Sequence, residues 1–487
     1  MKLTEKIALN SSVQAARQIF VAATGILSVG VATRYLSIDE YGGVLAGLVL
    51  LSLFAVATDF GISAMTVRAM ARDPENELAI QSSAFWVWVA FTVPTALFIL
   101  AIAQIVYPGS ENDVTRSSVL ILMATFPLSP FSGVANARAV ADQRVWVISA
   151  ASILARAISL GAVVAAAAMD LGPLGITTAF ASGFVFEQAF SILFMRPRIL
   201  YRVGLHRARI WSLVVAAVPL GMVMIINGLY FRLDAFLLSV LGSDSDLAVY
   251  GVAYKAFESL LAFPGFVMIT LVPVLAGLTF ADERFQELVQ KAFTAMCLIA
   301  LPIIGFSLLG REAMIALAGE KYAGGGLVLA LIMCSVALAC VQGVFGNTLV
   351  TQGKQKALLR VSCSILVANG LLNLAAIPLF GDVGAAGALF MTEVLSVTMT
   401  CFVYKRYAPL PKLHMPARTL LALAALVVVA AACLAIPNTL VAMTVGVALG
   451  LCAYVGTLHG LGVVPHYIAE PARSALRKVM PWRRRAA

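Results

Sequence analysis

Nine ionisable side chains fall inside stretches that otherwise read as oil: Arg17, Arg156, Arg232 and Lys255 against Asp59, Glu187, Asp234, Glu258 and Glu393. In hydrocarbon each such charge costs roughly 2.5 to 3.5 kcal/mol at a helix centre, so the nine must face water or one another. Two roles are open to them: holding a charged cargo or ion in a wet cavity, and pairing structurally between helices. Arg17 lies near a helix end and can snorkel to the interface, whereas Arg156 in "ASILARAISLGAVV" is mid-span and is expected to line a cavity. Glu187 ("FVFEQAF") and Glu393 ("FMTEVLS") are also mid-span, each either a helix–helix hydrogen-bond partner or a transport residue. Asp59 in "ATDFGISAMTVR" precedes a glycine that loosens its helix, which fits a structural role at least as well. Arg232 and Asp234, two apart, point to different sides of one helix, while Lys255 and Glu258, three apart, share a face and can neutralise each other. Four cations against five carboxylates leave the sign of any cavity unreadable.

The elements that must position these charges are membrane spans. Of 487 residues, 61% are hydrophobic and only 12% charged, with a mean hydropathy of +0.95, far from the composition of soluble domains. A bilayer core needs about 20 apolar residues in helix. Cutting the chain at loop signals predicts fourteen spans: 12–33, 42–66, 83–107, 117–138, 145–168, 173–195, 211–241, 247–277, 288–309, 324–349, 357–379, 384–404, 417–436 and 440–463. The first is expected to be retained, since no short apolar core with a cleavage site precedes it. With both termini cytoplasmic, most of the 34 basic residues fall inside and only Arg34, Arg116, Arg311 and Lys321 outside, as the positive-inside bias requires. In that orientation Arg232 and Asp234 lie near the outer end of span seven, with Lys255 and Glu258 in the outer half of span eight, leaving Arg156 as the foremost candidate for a central site. Trp86, Trp146 and Trp211 open spans at the cytoplasmic interface and read as anchors.

The basic loop "RPRILYRVGLHRAR" (196–209) divides the first twelve spans into six and six. Each half opens alike, through "RYLSIDEYGG" and "SVLGSDSDLAVYGV": an acidic turn, then Tyr-Gly as the next helix begins. This agrees with transporters built from two copies around a central site. The expected division is 1–205 and 206–410 as two lobes, 411–465 as accessory spans thirteen and fourteen, and 466–487 as a basic cytoplasmic tail drawn to anionic inner-leaflet lipid. The net charge of +10 therefore points to membrane lipid as a partner and not to nucleic acid. Pro94, Pro127, Pro130, Pro219, Pro264, Pro273 and Pro302 interrupt spans, where neighbours or cavity water must satisfy the freed backbone.

No catalytic pattern competes: there is no phosphate-binding GxxxxGK[ST] loop, HExxH or nucleophile elbow. The four histidines, His206, His414, His459 and His466, lie in loops or near helix ends, and "LAGEKYAGGG" reads as an external turn. The seven cysteines form no CxxC pair and read as small apolar fillers. A protein that is not an enzyme, with no cofactor and no metal, is expected.

The stretch "YFRLDAFLLSVLGSDSDLAVYGVAYKAFESL" resembles the seventh-to-eighth helix signature of the polysaccharide transporter family, and "ATRYLSIDEYGGVLAGLVLLSLFAVATDFGISAMTVRAMA" resembles that family's opening. These are the Wzx-type flippases of lipid-linked oligosaccharides, within the multidrug, oligosaccharidyl-lipid and polysaccharide exporter superfamily. The resemblance covers the layout of about the first 405 residues and implies an all-α polytopic membrane protein, with two six-helix lobes in a V around a central cavity and two accessory helices. It implies a transporter of the inner membrane that moves an undecaprenyl-diphosphate-linked glycan to the outer leaflet, with a glycan polymerase and other polysaccharide-assembly proteins as further partners. Arg17, Arg156, Arg232 and Lys255 become candidates for contacting diphosphate or glycan, and Asp59, Glu187, Asp234, Glu258 and Glu393 for coupling to a proton or sodium ion. The alternatives are a multidrug and toxin extrusion antiporter, which needs an acidic cavity, and a lipid II flippase. A membrane glycosyltransferase would need a large loop bearing catalytic acids, and none is predicted.

Overall fold

The computed structural model describes residues 3–195, 207–261, 268, 271–272, 274–412 and 417–462. The arginines of the interlobe loop up to residue 206, Pro264, Pro273, His206, His414, His466 and the basic tail lie outside the described residues. Within them the chain is all-helical, as expected: backbone in hydrocarbon must satisfy its own hydrogen bonds, and an uninterrupted helix does so.

The first half contains α1 (Leu3–Tyr35), α2 (Ile38–Asp59), α3 (Ile62–Arg72), α4 (Glu77–Val106), α5 (Asp113–Met123), α6 (Ser129–Ala141), α7 (Val145–Ala168) and α8 (Gly172–Met195). The second contains α9 (Arg207–Leu241), α10 (Asp244–Leu260), α11 (Glu283–Ser307), α12 (Gly310–Ala318), α13 (Gly326–Thr351) and α14 (Gln355–Tyr404). The helices α15 (Ala417–Cys433) and α16 (Thr439–Gly460) follow. Ten stretches among the described residues are long and apolar enough to cross a membrane. One of these, α14, holds the predicted spans eleven and twelve, joined at Gly381, whose φ of 54° breaks the helical path. Span two is α2 and α3, parted where Phe60 and Gly61 take φ of 40° and 75°. Span four is α5 and α6, parted by a 3-10 turn at Phe126–Leu128 that holds Pro127.

The acidic turns shared by the two halves are capping boxes. Ser37 accepts from the Glu40 backbone N–H while the Glu40 carboxylate accepts from Ser37 N–H; Ser243 and Asp246 repeat the arrangement at the start of α10. Each box satisfies helix-end donors that otherwise lack partners. The Tyr-Gly pairs that follow pack against each other's helix: Gly42 lies so close to the backbone of Asp244 that a Cβ there would collide with its carbonyl, and Gly251 lies as close to Leu45. Glycine is required at the Gly42 crossing, where the obstacle is backbone.

That end of the bundle is tied across the halves by further bonds. Arg34 donates to the carbonyls of Ala316 and Leu317 at the end of α12, at 2.8 and 3.0 Å, and Lys321 donates to the Leu36 carbonyl. The Gly-rich stretch before α13 is a 3-10 turn, Glu320–Gly325. At the other end Phe60 and Gly61 pack on Leu220 and Gly221 of α9. The last two helices dock on α11, where Gly305 admits Leu423 and Leu426 and the Tyr454 hydroxyl donates to the Leu298 carbonyl at 3.0 Å. Large apolar side chains such as Ile105, Leu371 and Leu379 are exposed on the outer surface, where lipid replaces water as the solvent. Trp146 and Trp211 are exposed as well. The cysteines are unpaired, and Cys363 and Cys452 sit on exposed helix faces where the sequence suggested fillers.

Candidate functional site

A cavity of about 240 Å³ lies between the halves, in the part of the bundle nearer the α1–α2 turn. Its walls come from α1, α2, α7 and α8 on one side and from α9 and α10 on the other, and they include Arg156, Arg232, Lys255 and Glu258. Glu258 bridges the other half's two cations: Arg232 Nη2 stands 2.7 Å from Oε1 and Lys255 Nζ 2.9 Å from Oε2. All three keep about a third of their side chains exposed, at 34%, 31% and 29%, so they stay wet inside an apolar bundle. Arg156 enters from α7, its guanidinium 5.7 Å from the centre of the Phe184 ring, and has no carboxylate within ion-pair distance among the described residues. Among the described residues three cations against one carboxylate make the cavity net positive, a sign that counting along the sequence could not supply. Arg156 therefore shares one chamber with Arg232 and Lys255, where their positions along the spans suggested separate sites.

The remaining candidates sit elsewhere. Arg17 Nη1 donates to Ser152 Oγ at 3.4 Å, and Ser152 in turn donates to Glu187, so one hydroxyl links the two charges across α1, α7 and α8. Asp59 Oδ1 accepts from the Ser63 backbone N–H at 3.2 Å, capping α3 across the break. Glu393 accepts from the Tyr230 hydroxyl at 2.6 Å and lines a second cavity of about 290 Å³ among α9, α13 and α14. Asp234 is 2% exposed and meets only neutral partners: Asn373 Nδ2 donates to it at 2.9 Å and the Tyr250 hydroxyl at 3.2 Å. Beside it the Oδ1 atoms of Asn369 and Asn373 are buried with no hydrogen-bond donor among the described residues, an arrangement that costs free energy unless a water or an ion supplies the missing partner. No cluster of three or more His, Cys, Asp or Glu side chains is found among the described residues.

Sequence reasoning counted formal charges and so missed the neutral groups. The signal that could have found Asn369 and Asn373 is their placement as two amides one turn apart inside the span "LVANGLLNLAAIP"; Tyr230, Tyr250 and Ser152 carry no signal that separates them from packing residues.

The sequence profile of the family described as polysaccharide biosynthesis protein matches residues 31–324, more than half of the chain. The chain belongs to that family. The match begins in α1 and ends before α13, so it takes in every residue named as lining the cationic cavity except Gly25, Ser28 and Val29 of α1. This polysaccharide biosynthesis family member is also 23% identical over 186 residues to the probable flippase AglR of Haloferax volcanii, a match spanning 37% of this chain and 38% of that protein's length. Its fold is that of the lipid II flippase MurJ in an inward closed conformation, with a TM-score of 0.74 over 92% of this chain and 98% of the other at 11% identity. An inward-facing multidrug resistance MATE transporter of the MOP superfamily follows at 0.61, over 80% and 94% with 14% identity. The resemblance read from the opening and span-seven motifs thus names the right family, and the architecture is that of the wider exporter superfamily.

Proposed function

We propose that the protein carries an undecaprenyl-diphosphate-linked oligosaccharide from the inner to the outer leaflet of the cytoplasmic membrane by alternating access. Sugar and diphosphate cannot enter hydrocarbon without losing their hydrogen bonds to water, whereas a prenyl tail remains in lipid. The observation that carries this reading is the net-positive cavity between the halves, lined by Arg156, which has no carboxylate within ion-pair distance among the described residues, and by a Glu258-bridged Arg232 and Lys255. Guanidinium groups hold phosphate oxygens through paired, charge-assisted bonds. At about 240 Å³ the cavity is near the lower bound of roughly 300 Å³ for small-molecule pockets, a fit for a headgroup with its lipid outside. Family membership and the name of the Haloferax volcanii relative support the same direction.

In this reading residues 1–205 and 206–410 are lobes that rock about the cavity, 411–465 are accessory, and 466–487 hold to anionic lipid with both termini cytoplasmic. The bonds of Arg34 and Lys321 and the Gly42 crossing then close the outward gate. Arg17 and Glu187, joined through Ser152, brace the first lobe. A doubly charged anion leaving a negative-inside cell gains about 4.6 kcal/mol per 100 mV, and Asp234 supplies a coupling site: a buried carboxylate beside two amide oxygens without donors is the oxygen-rich set a hard cation takes. A cationic-drug antiporter needs the opposite cavity charge. A lipid II flippase shares the diphosphate chemistry, and genetics separates the two: deleting the gene should trap glycan-loaded lipid in the inner leaflet and abolish the matching surface polysaccharide while peptidoglycan synthesis continues. Unchanged surface glycan together with new drug sensitivity would sink the proposal.

A further inference from the structure

The second cavity differs from the first in kind. Its walls carry the side-chain amides of Gln342 and Asn347 on α13, the hydroxyls of Ser362 and Ser396 on α14, and the Tyr230 phenol bonded to Glu393. Among the described residues no Lys, Arg or His lines it, so an anion would meet one carboxylate and no compensating charge from them. A small cation or an amine would find that carboxylate already engaged by the phenol O–H at 2.6 Å. Amides, hydroxyls and a phenol both donate and accept, which matches a ligand whose surface is made of hydroxyls. The aromatic rings of Tyr230 and Phe231 on the same wall offer an apolar face of the sort that covers the C–H side of a sugar ring.

Position makes the difference useful. Tyr230 and Phe231 line the second cavity and Arg232 lines the first, a step of about 1.5 Å of helix rise per residue along α9. On the neighbouring segment Glu258 lines the first cavity and Leu261 the second. The second cavity also takes residues from the second half of α13 and the early turns of α14, so it lies toward the end of the bundle away from the α1–α2 turn. Tyr230 and Arg232 leave α9 on nearly opposite sides, with Phe231 between them, so a molecule with its anionic group in the cationic chamber must extend past the helix, as an oligosaccharide can, to set a neutral group against these amides and hydroxyls.

We infer that the cavity around Tyr230, Gln342, Asn347 and Ser396 is a binding site for the neutral sugar of the diphosphate-linked cargo, and that its hydrogen-bonding side chains select which glycan is carried. This rests on the transport reading above and extends it from the diphosphate to the sugar. Selectivity follows from geometry: a site built to hydrogen-bond hydroxyls rejects a ligand that leaves its polar groups unpaired.

The test compares two probes on the full-length protein in lipid nanodiscs: the glycan-bearing undecaprenyl diphosphate that accumulates in cells lacking the gene, and bare undecaprenyl diphosphate. Gln342→Ala and Asn347→Ala should each weaken binding of the glycan-bearing lipid by about 3- to 10-fold, the value of one neutral hydrogen bond, and leave the bare lipid unchanged. Binding of the bare lipid thereby serves as the control for folding. Equal losses for both lipids, or no loss for either, would overturn the assignment while leaving the cationic chamber intact. Wild-type protein that binds neither lipid would overturn the transport reading itself. Tight binding of tetraphenylphosphonium, lost on Glu393→Gln and indifferent to the amide variants, would make the cavity a cation site instead.

Discussion

Arg232 and Asp234 are separated by one residue on α9, and their surroundings could hardly differ more. Successive residues turn by about 100° on a helix, so the two side chains leave the helix on nearly opposite sides. Arg232 faces the chamber between the halves, keeps 34% of its side chain exposed and pairs with Glu258. Asp234 faces inward to the second half, is 2% exposed and touches only amides and a phenol. A charge beside water and a countercharge is cheap to keep and free to exchange partners. A carboxylate among neutral groups is costly unless it is protonated or holds a cation. One helix thus divides a surface suited to an anionic cargo from a pocket suited to a small cation, and a rotation of α9 would move both together.

The comparison breaks most readily at Asp234. Replacement by Asn keeps the shape and hydrogen-bonding capacity of the side chain but removes the charge, so the protein should remain folded. Its transport should lose dependence on the sodium or proton gradient, with cation affinity down by about 100-fold or more, since even indirect partners of a bound metal cost 10- to 100-fold; transport measured against an imposed gradient checks this. Undiminished dependence would show that Asp234 is a packing residue. On the other face of α9, Glu258→Gln should release Arg232 and Lys255 from their shared partner. Affinity for undecaprenyl diphosphate should rise by about 5-fold, corresponding to roughly 1 kcal/mol for a pair about one-third exposed, while release slows; weaker binding would mean that Glu258 positions the cations rather than restrains them.

A third variant sharpens the contrast between carboxylates that act and one that caps. Asp59→Ala should cost about 1 kcal/mol of stability through loss of its bond to the Ser63 N–H at the start of α3, seen as a lowered unfolding temperature in detergent, with transport per folded molecule unchanged. A large fall in transport at equal protein level would return Asp59 to the coupling set.

Much of the architecture was legible because hydrocarbon imposes strong rules. Span length, basic loops and the two Tyr-Gly openings placed the helices, and the prolines at 127 and 130 fell at a real break. The site was legible only in part. Charges mid-span announced themselves, but which of them meet depends on how helices far apart in sequence rotate about their axes. Arg156 on α7 reaches the chamber of Arg232 through packing that no local spacing encodes. Asn369 and Asn373 escaped notice because a neutral amide in a span carries a weaker signal than a charge, although burial without a donor is what marks them in three dimensions.

The central claim is that the chamber shared by Arg156 and Arg232 holds the anionic headgroup during transport. Purified wild-type and Arg156→Ala/Arg232→Ala proteins, incorporated into vesicles in equal amounts, can be compared for the rate at which glycan-bearing undecaprenyl diphosphate moves between leaflets. Two charge-assisted bonds at about 1.5 to 3 kcal/mol each predict a rate at least about 100-fold slower in the double variant. A rate within about twofold of wild type, at equal incorporation, would contradict the account.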